Sequence, residues 1–135
     1  MRAGDKITTG EMQAIPVHAY AEQIRKQCGM TSPRIFVMTD NIDMLQGLKE
    51  IGDSSWSIVS YTLEHQRGHI QNEFNLAPSA QRKAAYIQFL AELQVMQEIP
   101  SLIVTYTSNI GRYLYLTVPT STQITSLDMK VFAPI

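Results

Sequence analysis

The sequence predicts a layered α/β domain, and three observations lead there. Helix-like and strand-like stretches alternate along the chain with no linker, repeat or low-complexity segment between them. The 135 residues are 44% hydrophobic, enough chain and enough apolar surface for one sizeable core. Ile35-Phe36-Val37-Met38 is a continuous apolar run of the kind found in strands buried on both faces.

The first helix is predicted from Val17 to Cys28, because Pro16 suits a helix start and Gly29 a helix end. A strand over Arg34 to Thr39 follows. Asn41 is a capping residue for a second helix running to Ile51, with Gly52 as its stop. Trp56 to Tyr61 is predicted as the next strand. Residues 62 to 78 mix polar side chains with Gly68 and Pro78 and are predicted to form a long loop, of the sort that often covers a ligand. Ser79 opens the longest helix, about Ala80 to Gln97, with Ala84, Ile87, Leu90, Ala91 and Leu93 as its expected apolar face. Pro100 ends it. Leu102 to Tyr106 is a third buried strand, and Thr107 to Arg112 is a hydroxyl-rich turn leading into a helix over Tyr113 to Val118. Met30, Met38, Met44 and Met96 are expected to fill core gaps, and Trp56 to pack inside.

Composition removes several function classes. A formal charge of −1 gives no excess for nucleic acid or an anionic membrane surface. Cys28 is the only cysteine, so neither an intrachain disulfide nor a multi-cysteine zinc site can form, and its thiol is expected to be buried and inert. No apolar run approaches the ~20 residues that span a bilayer. The first residues lack the basic-then-apolar order of a signal peptide, so any targeting segment is expected outside this chain.

Two clusters carry chemistry. Arg2, Gly4, Asp5, Lys6 and Glu11 put a planar cation suited to phosphate, a permissive glycine, carboxylates and an amine just ahead of the first helix. Solvated terminal charges are the plainer explanation of the same pattern. Further on, Ser108 and Asn109 sit between a strand and a helix, where exposed N–H groups and the helix dipole favour a phosphate. Ordinary capping explains them equally. His65 and His69 with Glu64 and Glu73 would share a face only in a helix, and the stretch is expected to be loop; no metal site is predicted.

Taken together, the segments resemble a known family. Arg2-Ala3-Gly4-Asp5-Lys6 followed by Glu11, Pro16 and Tyr20 is similar to the donor-site motif of the α-1,6-fucosyltransferases of glycosyltransferase family 23, His-x-Arg-Arg-x-Asp-Lys with Glu, Pro and Tyr at closely similar spacing. Val37-Met38-Thr39-Asp40-Asn41 resembles the family's strand ending in Thr-Asp-Asp. Glu92 falls where the family has an Asp on its long helix. Thr105 to Arg112 resembles the family's Thr-Phe-Ser-Ser-Gln-x-x-Arg turn, and Ser126-Leu127-Asp128 its Ser-Leu-Asp segment.

The resemblance implies a Rossmann-like parallel sheet with flanking helices, the nucleotide-sugar-binding half of an inverting enzyme, with its first strand largely missing. Such an enzyme passes fucose from GDP-fucose to the six-hydroxyl of the innermost N-acetylglucosamine of an N-glycan, without a metal or other cofactor. By resemblance, Arg2 and Ser108 hold the β-phosphate, with Asn109 beside them; Glu11 is the general base and Lys6 its neighbour. Asp5 and Asp40 order the acceptor, and Glu92 accepts from guanine N–H groups. A Golgi address is implied by the family alone. The chemistry suits these residue types, since a base is worth ~100 to 10,000-fold and donors stabilise charge on the leaving diphosphate, and the chain has no Asp-x-Asp pair for a divalent cation.

Departures from the pattern matter. The family's His would precede Met1, Ala3 replaces the second Arg, Asn41 replaces the second Asp, and Asn109 replaces Gln. The isolated chain is therefore expected to be inactive or incomplete as an enzyme, either as a fragment of a transferase or as a non-catalytic nucleotide-binding or interaction module.

Overall fold

The computed structural model describes Ile7, Gly10 and residues 14–129. In chain order the elements are α1 (Val17–Cys28), β1 (Arg34–Phe36), α2 (Ile42–Ile51), β2 (Ser57–Val59), α3 (Gln71–Leu76), α4 (Ser79–Glu98), β3 (Ser101–Val104), α5 (Asn109–Thr117) and β4 (Gln123–Ser126).

The first two helices follow from their ends. Pro16, at φ −68°, is set for entry into α1, and Gly29, at φ 56°, takes the left-handed conformation that side chains avoid. The Gly29 N–H donates to the Arg25 carbonyl at 2.9 Å and closes the last turn. Asn41 caps α2, its side chain accepting from the Asp43 N–H at 2.8 Å. Tyr20, Ala21 and Ile24 of α1 face Ile42, Leu45 and Leu48 of α2 in one buried cluster that also holds Val37. Full burial of a side chain such as Leu48 contributes about 1.5–3 kcal/mol.

Both strand pairs are parallel and each is joined through a helix. β1 pairs with β2 in the register Ile35 to Ile58, with α2 between them in sequence. β3 pairs with β4 in the register Leu102 to Ile124, with α5 between them. Among the described residues the fold is thus mixed α/β, with two small parallel sheets and flanking helices. Among the described residues, β1 and β3 are not paired with each other, so one continuous sheet is not formed. The two units nevertheless pack together: Phe36 and Met38 lie against the second buried cluster of Met96, Leu102, Val104, Tyr106 and Leu114, and Ile103 lies against the first. Gln27 at the end of α1 donates to Thr125 at 2.8 Å and ties α1 to β4.

Several expectations are corrected. The three predicted strands are shorter than their apolar runs, because pairing stops where the chain turns toward the next helix. Residues 62 to 78 are not all loop, since Gln71–Leu76 is helical. The last helix begins at Asn109 rather than Tyr113, because Ser108 caps it, and β4 was not foreseen. α4 is rotated from its expected face: Ala84, Ile87, Leu90 and Ala91 are exposed, while Glu92 and Met96 are buried. Met96 joins the second core and sets that rotation. Met30 projects fully into solvent past the end of α1. Cys28 is only half-buried, and Trp56 precedes β2 and packs against the first core with Arg25 over its ring at 5.4 Å.

Two glycines in helices separate cleanly. A Cβ on Gly111 in α5 would stand 2.1 Å from the Thr105 carbonyl oxygen, whereas one on Gly47 in α2 would make ordinary contact with Val17 at 3.6 Å. Gly111→Ala is expected to destabilise the fold by about 1–3 kcal/mol or more, and Gly47→Ala to stabilise it by about 0.5–1 kcal/mol. Urea denaturation of both variants checks the contrast; a stable Gly111→Ala protein contradicts the close approach of α5 to β3.

Candidate functional site

A cavity of about 400 Å³ opens beyond the C-terminal ends of β1 and β3. Open α/β sheets place ligands in that position because the loops leaving the strands diverge there. Thr39 and Asp40 come from the end of β1, Thr105, Ser108 and Asn109 from the end of β3, and Gln88 and Glu92 from α4. Tyr20 reaches in from α1, and Phe74, Tyr86 and Phe89 give one wall an aromatic surface. The Phe74 and Tyr86 rings meet edge to face at 5.2 Å.

The turn from β3 into α5 is the most constrained part. Ser108 is 4% exposed, and its hydroxyl accepts from the Ile110 N–H at 3.3 Å as the α5 cap. Asn109 begins the helix and is exposed at the rim. Asp128, just past β4, accepts from the Tyr106 N–H at 2.7 Å, the Thr107 N–H at 3.0 Å, the Thr107 hydroxyl and the Ser126 hydroxyl. The Arg112 Nε donates to the Tyr106 carbonyl at 2.7 Å from the other side. Burial works against the Asp128 charge, but the bonds from Thr107, Ser126 and Tyr106 outweigh it and hold the carboxyl below its ordinary range.

Glu92 is the opposite case. It is 5% exposed, and burial pushes its carboxyl up; Gln88, donating at 3.4 Å, pulls it back only in part. Burial, reinforced by the Asp128 charge, likewise pushes the Tyr20 phenol up to about 12. Among the described residues, Gln88 is the side chain that donates to Glu92, and a ligand bearing N–H groups would add to it.

Asp40 faces this cavity and also fastens the segment after β2. Its carboxylate accepts from the His69 N–H at 3.0 Å, and its carbonyl accepts from the Gly68 N–H at 2.8 Å. Thr62 donates to the Thr39 carbonyl at 2.8 Å nearby. This segment does not gather His65, His69, Glu64 and Glu73: the His69 ring lies 3.2 Å from the Gln71 side-chain oxygen and packs beside Phe74. Among the described residues no group of three or more His, Cys, Asp or Glu is placed to hold a metal ion, and no helix is long and apolar enough to cross a membrane.

Of the residues singled out from the sequence, Asp40, Glu92, Ser108 and Asn109 surround this one cavity, although they span 70 positions of the chain. Arg2, Ala3, Gly4, Asp5, Lys6 and Glu11 lie outside the described residues. Sequence reasoning missed Gln88, Phe74, Tyr86 and Phe89. Phe74 was hidden by the loop expected at 62 to 78, and the other three by the wrong docking face of α4. Compared with family models, curated proteins and solved structures, the chain matches none of them.

The two carboxylates have opposite linkage to pH. Asp128 is depressed in the folded state, so its contribution is present above the unfolded value of about 3.9 and is lost as pH falls through the folded value. Glu92 is raised, so its ionisation costs stability as pH climbs from about 4.3 through its folded value. Thermal melting should show Asp128→Asn destabilised at pH 7, with the gap narrowing in acid. Glu92→Gln should be more stable than the parent at pH 7 and equal to it near pH 4. A Glu92→Gln protein less stable at pH 7 contradicts the cost of burying the Glu92 charge.

Proposed function

We propose that this chain is the nucleotide-sugar-binding part of an inverting glycosyltransferase of the α-1,6-fucosyltransferase type, which takes GDP-fucose as donor and an N-glycan core as acceptor. The observation that carries the proposal is the convergence of Asp40, Glu92, Ser108 and Asn109 on one cavity at the strand ends. Those are the positions that the resemblance to glycosyltransferase family 23 assigns to donor and acceptor. The Rossmann-like interpretation of the two strand–helix–strand units belongs to the same proposal.

In this proposal guanine enters beside Glu92 and the aromatic wall, and its N–H groups add donors to the one that Gln88 gives the buried carboxylate. The diphosphate lies toward Ser108 at the N-terminus of α5, where the helix dipole stabilises negative charge. Arg2 adds a cation to the β-phosphate. Glu11 removes the proton from the acceptor hydroxyl as that oxygen attacks the fucose anomeric carbon and the bond to GDP breaks. Lys6 hydrogen-bonds nearby, while Asp5 and Asp40 order the acceptor side. No metal takes part. A Golgi setting goes with the proposed reaction.

Ala3 in place of the family's second Arg favours a second version of the proposal, a nucleotide-binding or interaction module that has lost turnover. Loss of a charged partner from a phosphate site costs about 2–5 kcal/mol of binding. The two versions part on whether GDP binding is accompanied by fucose transfer.

Calorimetric titration with GDP is the first test. Binding is expected, weakened about tenfold or more by Ser108→Ala and by Arg2→Ala, each equivalent to about 1.4 kcal/mol. Unchanged affinity in both variants rules out the phosphate assignment, provided melting shows Ser108→Ala still folded without its cap.

The pH dependence gives an independent check. If guanine donates to Glu92, binding favours the ionised carboxylate, so affinity should rise as pH increases through the raised Glu92 value and then level off. Glu92→Gln should bind more weakly and lose that dependence. A parent protein whose GDP affinity falls over the same pH range contradicts the guanine assignment.

A further inference from the structure

The longest helix of the fold carries an apolar ridge on the side away from the core. Around α4, Glu92 and Met96 are buried, while Ala80, Lys83, Ile87, Leu90 and Gln94 follow one another along the opposite, exposed side. Their spacing alternates between three and four residues, the seam along which two helices pack side by side. Ile87 is 58% exposed and Leu90 61%, and Tyr86 stands beside them, exposed as well. On α5, Tyr113 and Leu116 extend the apolar surface. Gln97 of α4 donates to the Tyr113 hydroxyl at 3.5 Å and to the Thr117 hydroxyl at 3.1 Å, so this extension adjoins the C-terminal half of the ridge. Single apolar side chains on a surface need no explanation, but a contiguous patch marks a contact.

The charges on α4 specify what kind of partner fits. Arg82 and Lys83 lie near its N-terminal end and Glu98 closes its C-terminal end, the reverse of what the helix dipole favours. Its first turn carries no acid and its last turn no base, and Pro78 at its start provides no side-chain cap. A second α4 running antiparallel supplies what is missing at both ends. The ridge is symmetric about the midpoint between Ile87 and Leu90. A two-fold axis there sets Ile87 against the partner's Leu90, Lys83 against the partner's Gln94, and Tyr86 over the partner's Ala91. The partner's Glu98 then arrives at Ser79, where the α4 dipole is positive, and lies about 6 Å along the helix from Lys83, within reach of its side chain. Gln94 donates to the Glu98 carboxylate at 3.0 Å and holds it beside the ridge. A parallel copy would instead oppose Lys83 to Lys83 and Glu98 to Glu98.

We propose that α4 is a self-association surface, on which a second copy of this chain docks antiparallel through Ile87 and Leu90 and pairs Lys83 with Glu98 twice by symmetry. The occupant is a second copy because the ridge is its own complement in shape and in charge, as a two-fold contact requires. The same pairing gives α4 a use for both of its apolar sides: Met96 packs into the second core, and Ile87 and Leu90 pack on the partner. Tyr86 also lines the cavity of Glu92 and meets Phe74 edge to face at 5.2 Å, so dimerisation holds part of the aromatic wall in place. Self-association needs no nucleotide and stands whether or not the cavity takes GDP.

Sedimentation velocity of the full chain over a concentration series tests this. The parent should pass from monomer to dimer as its concentration rises through the micromolar range. Leu90→Glu buries two carboxylates in a dimer but leaves the core of the monomer untouched. It should weaken dimerisation about a hundredfold or more without lowering the Tm of the monomer. Lys83→Glu and Glu98→Lys should each weaken it about tenfold, because either change sets like charges together at both ends of the contact. An equimolar mixture of those two variants should recover the parent's affinity as a heterodimer in which both pairs are opposite in sign again. Single charge variants that dimerise as tightly as the parent overturn the antiparallel register, and a dimer untouched by Leu90→Glu uses another face; either result removes the proposal. A parent that stays monomeric at every concentration overturns it as well. A Tm then lowered by Leu90→Glu means that the chain covers the ridge itself, and an unchanged Tm that the ridge meets a different partner.

Discussion

One carboxylate organises the most consequential corner of this protein. Asp128 stands at the end of β4 yet binds the Tyr106 and Thr107 N–H groups and the Thr107 hydroxyl at the end of β3. Those backbone donors lie where the chain leaves the sheet and turns into α5, and the Tyr106 N–H is shared with the Ser126 hydroxyl at 3.3 Å. Their satisfaction by a charged acceptor fixes where Ser108 sits, and therefore where α5 begins and which way its N–H groups face. Gly111 completes the arrangement by letting the helix backbone approach Thr105 at a distance no side chain would permit. Arg112 closes it from outside through the Tyr106 carbonyl.

The same constraint explains how a site arises from two modest strand–helix–strand units. Each unit delivers its strand end to the same side of the molecule, and the Asp40 contacts with His69 and Gly68 hold the first unit's loop there. α4 crosses between the units and lowers Glu92 into the space they leave. Asp128 and Glu92 are chemically close relatives in opposite states: one is surrounded by donors and stays ionised, the other is buried, with Gln88 as its donor among the described residues, and resists ionisation.

Much of the local structure was legible from side chains that act on their immediate neighbours. Pro16 and Gly29 marked both ends of α1, and Asn41 and Gly52 marked α2. The strand–turn–helix around Ser108 was recognisable from its hydroxyls, although the helix was placed four residues late because the cap was read as part of the turn. Ser108 and Asn109 were read from that strand–turn–helix itself, whereas Asp40 and Glu92 were named only through the resemblance over nearly the whole chain. The α4 face was misjudged because Ile87 and Leu90 fit an apolar stripe as well as Glu92 and Met96 fit the one that docks. An amphipathic pattern with a carboxylate on its buried side does not announce itself. Gln123–Ser126 pairs as a strand, yet its polar residues gave no strand signal.

The sequence by itself determined where the chain bends and caps: φ preferences, missing N–H groups and short polar side chains act over a few residues, and those neighbours are written alongside. Tertiary structure alone decided which face of α4 is buried, and that burial raises the Glu92 carboxyl while hydrogen bonds hold the Asp128 carboxyl down. Burial, edge pairing and ionisation depend on what stands opposite a group in space. In this protein the opposite group often comes from a distant part of the chain, as when Asp128 binds Tyr106 or Gln27 binds Thr125.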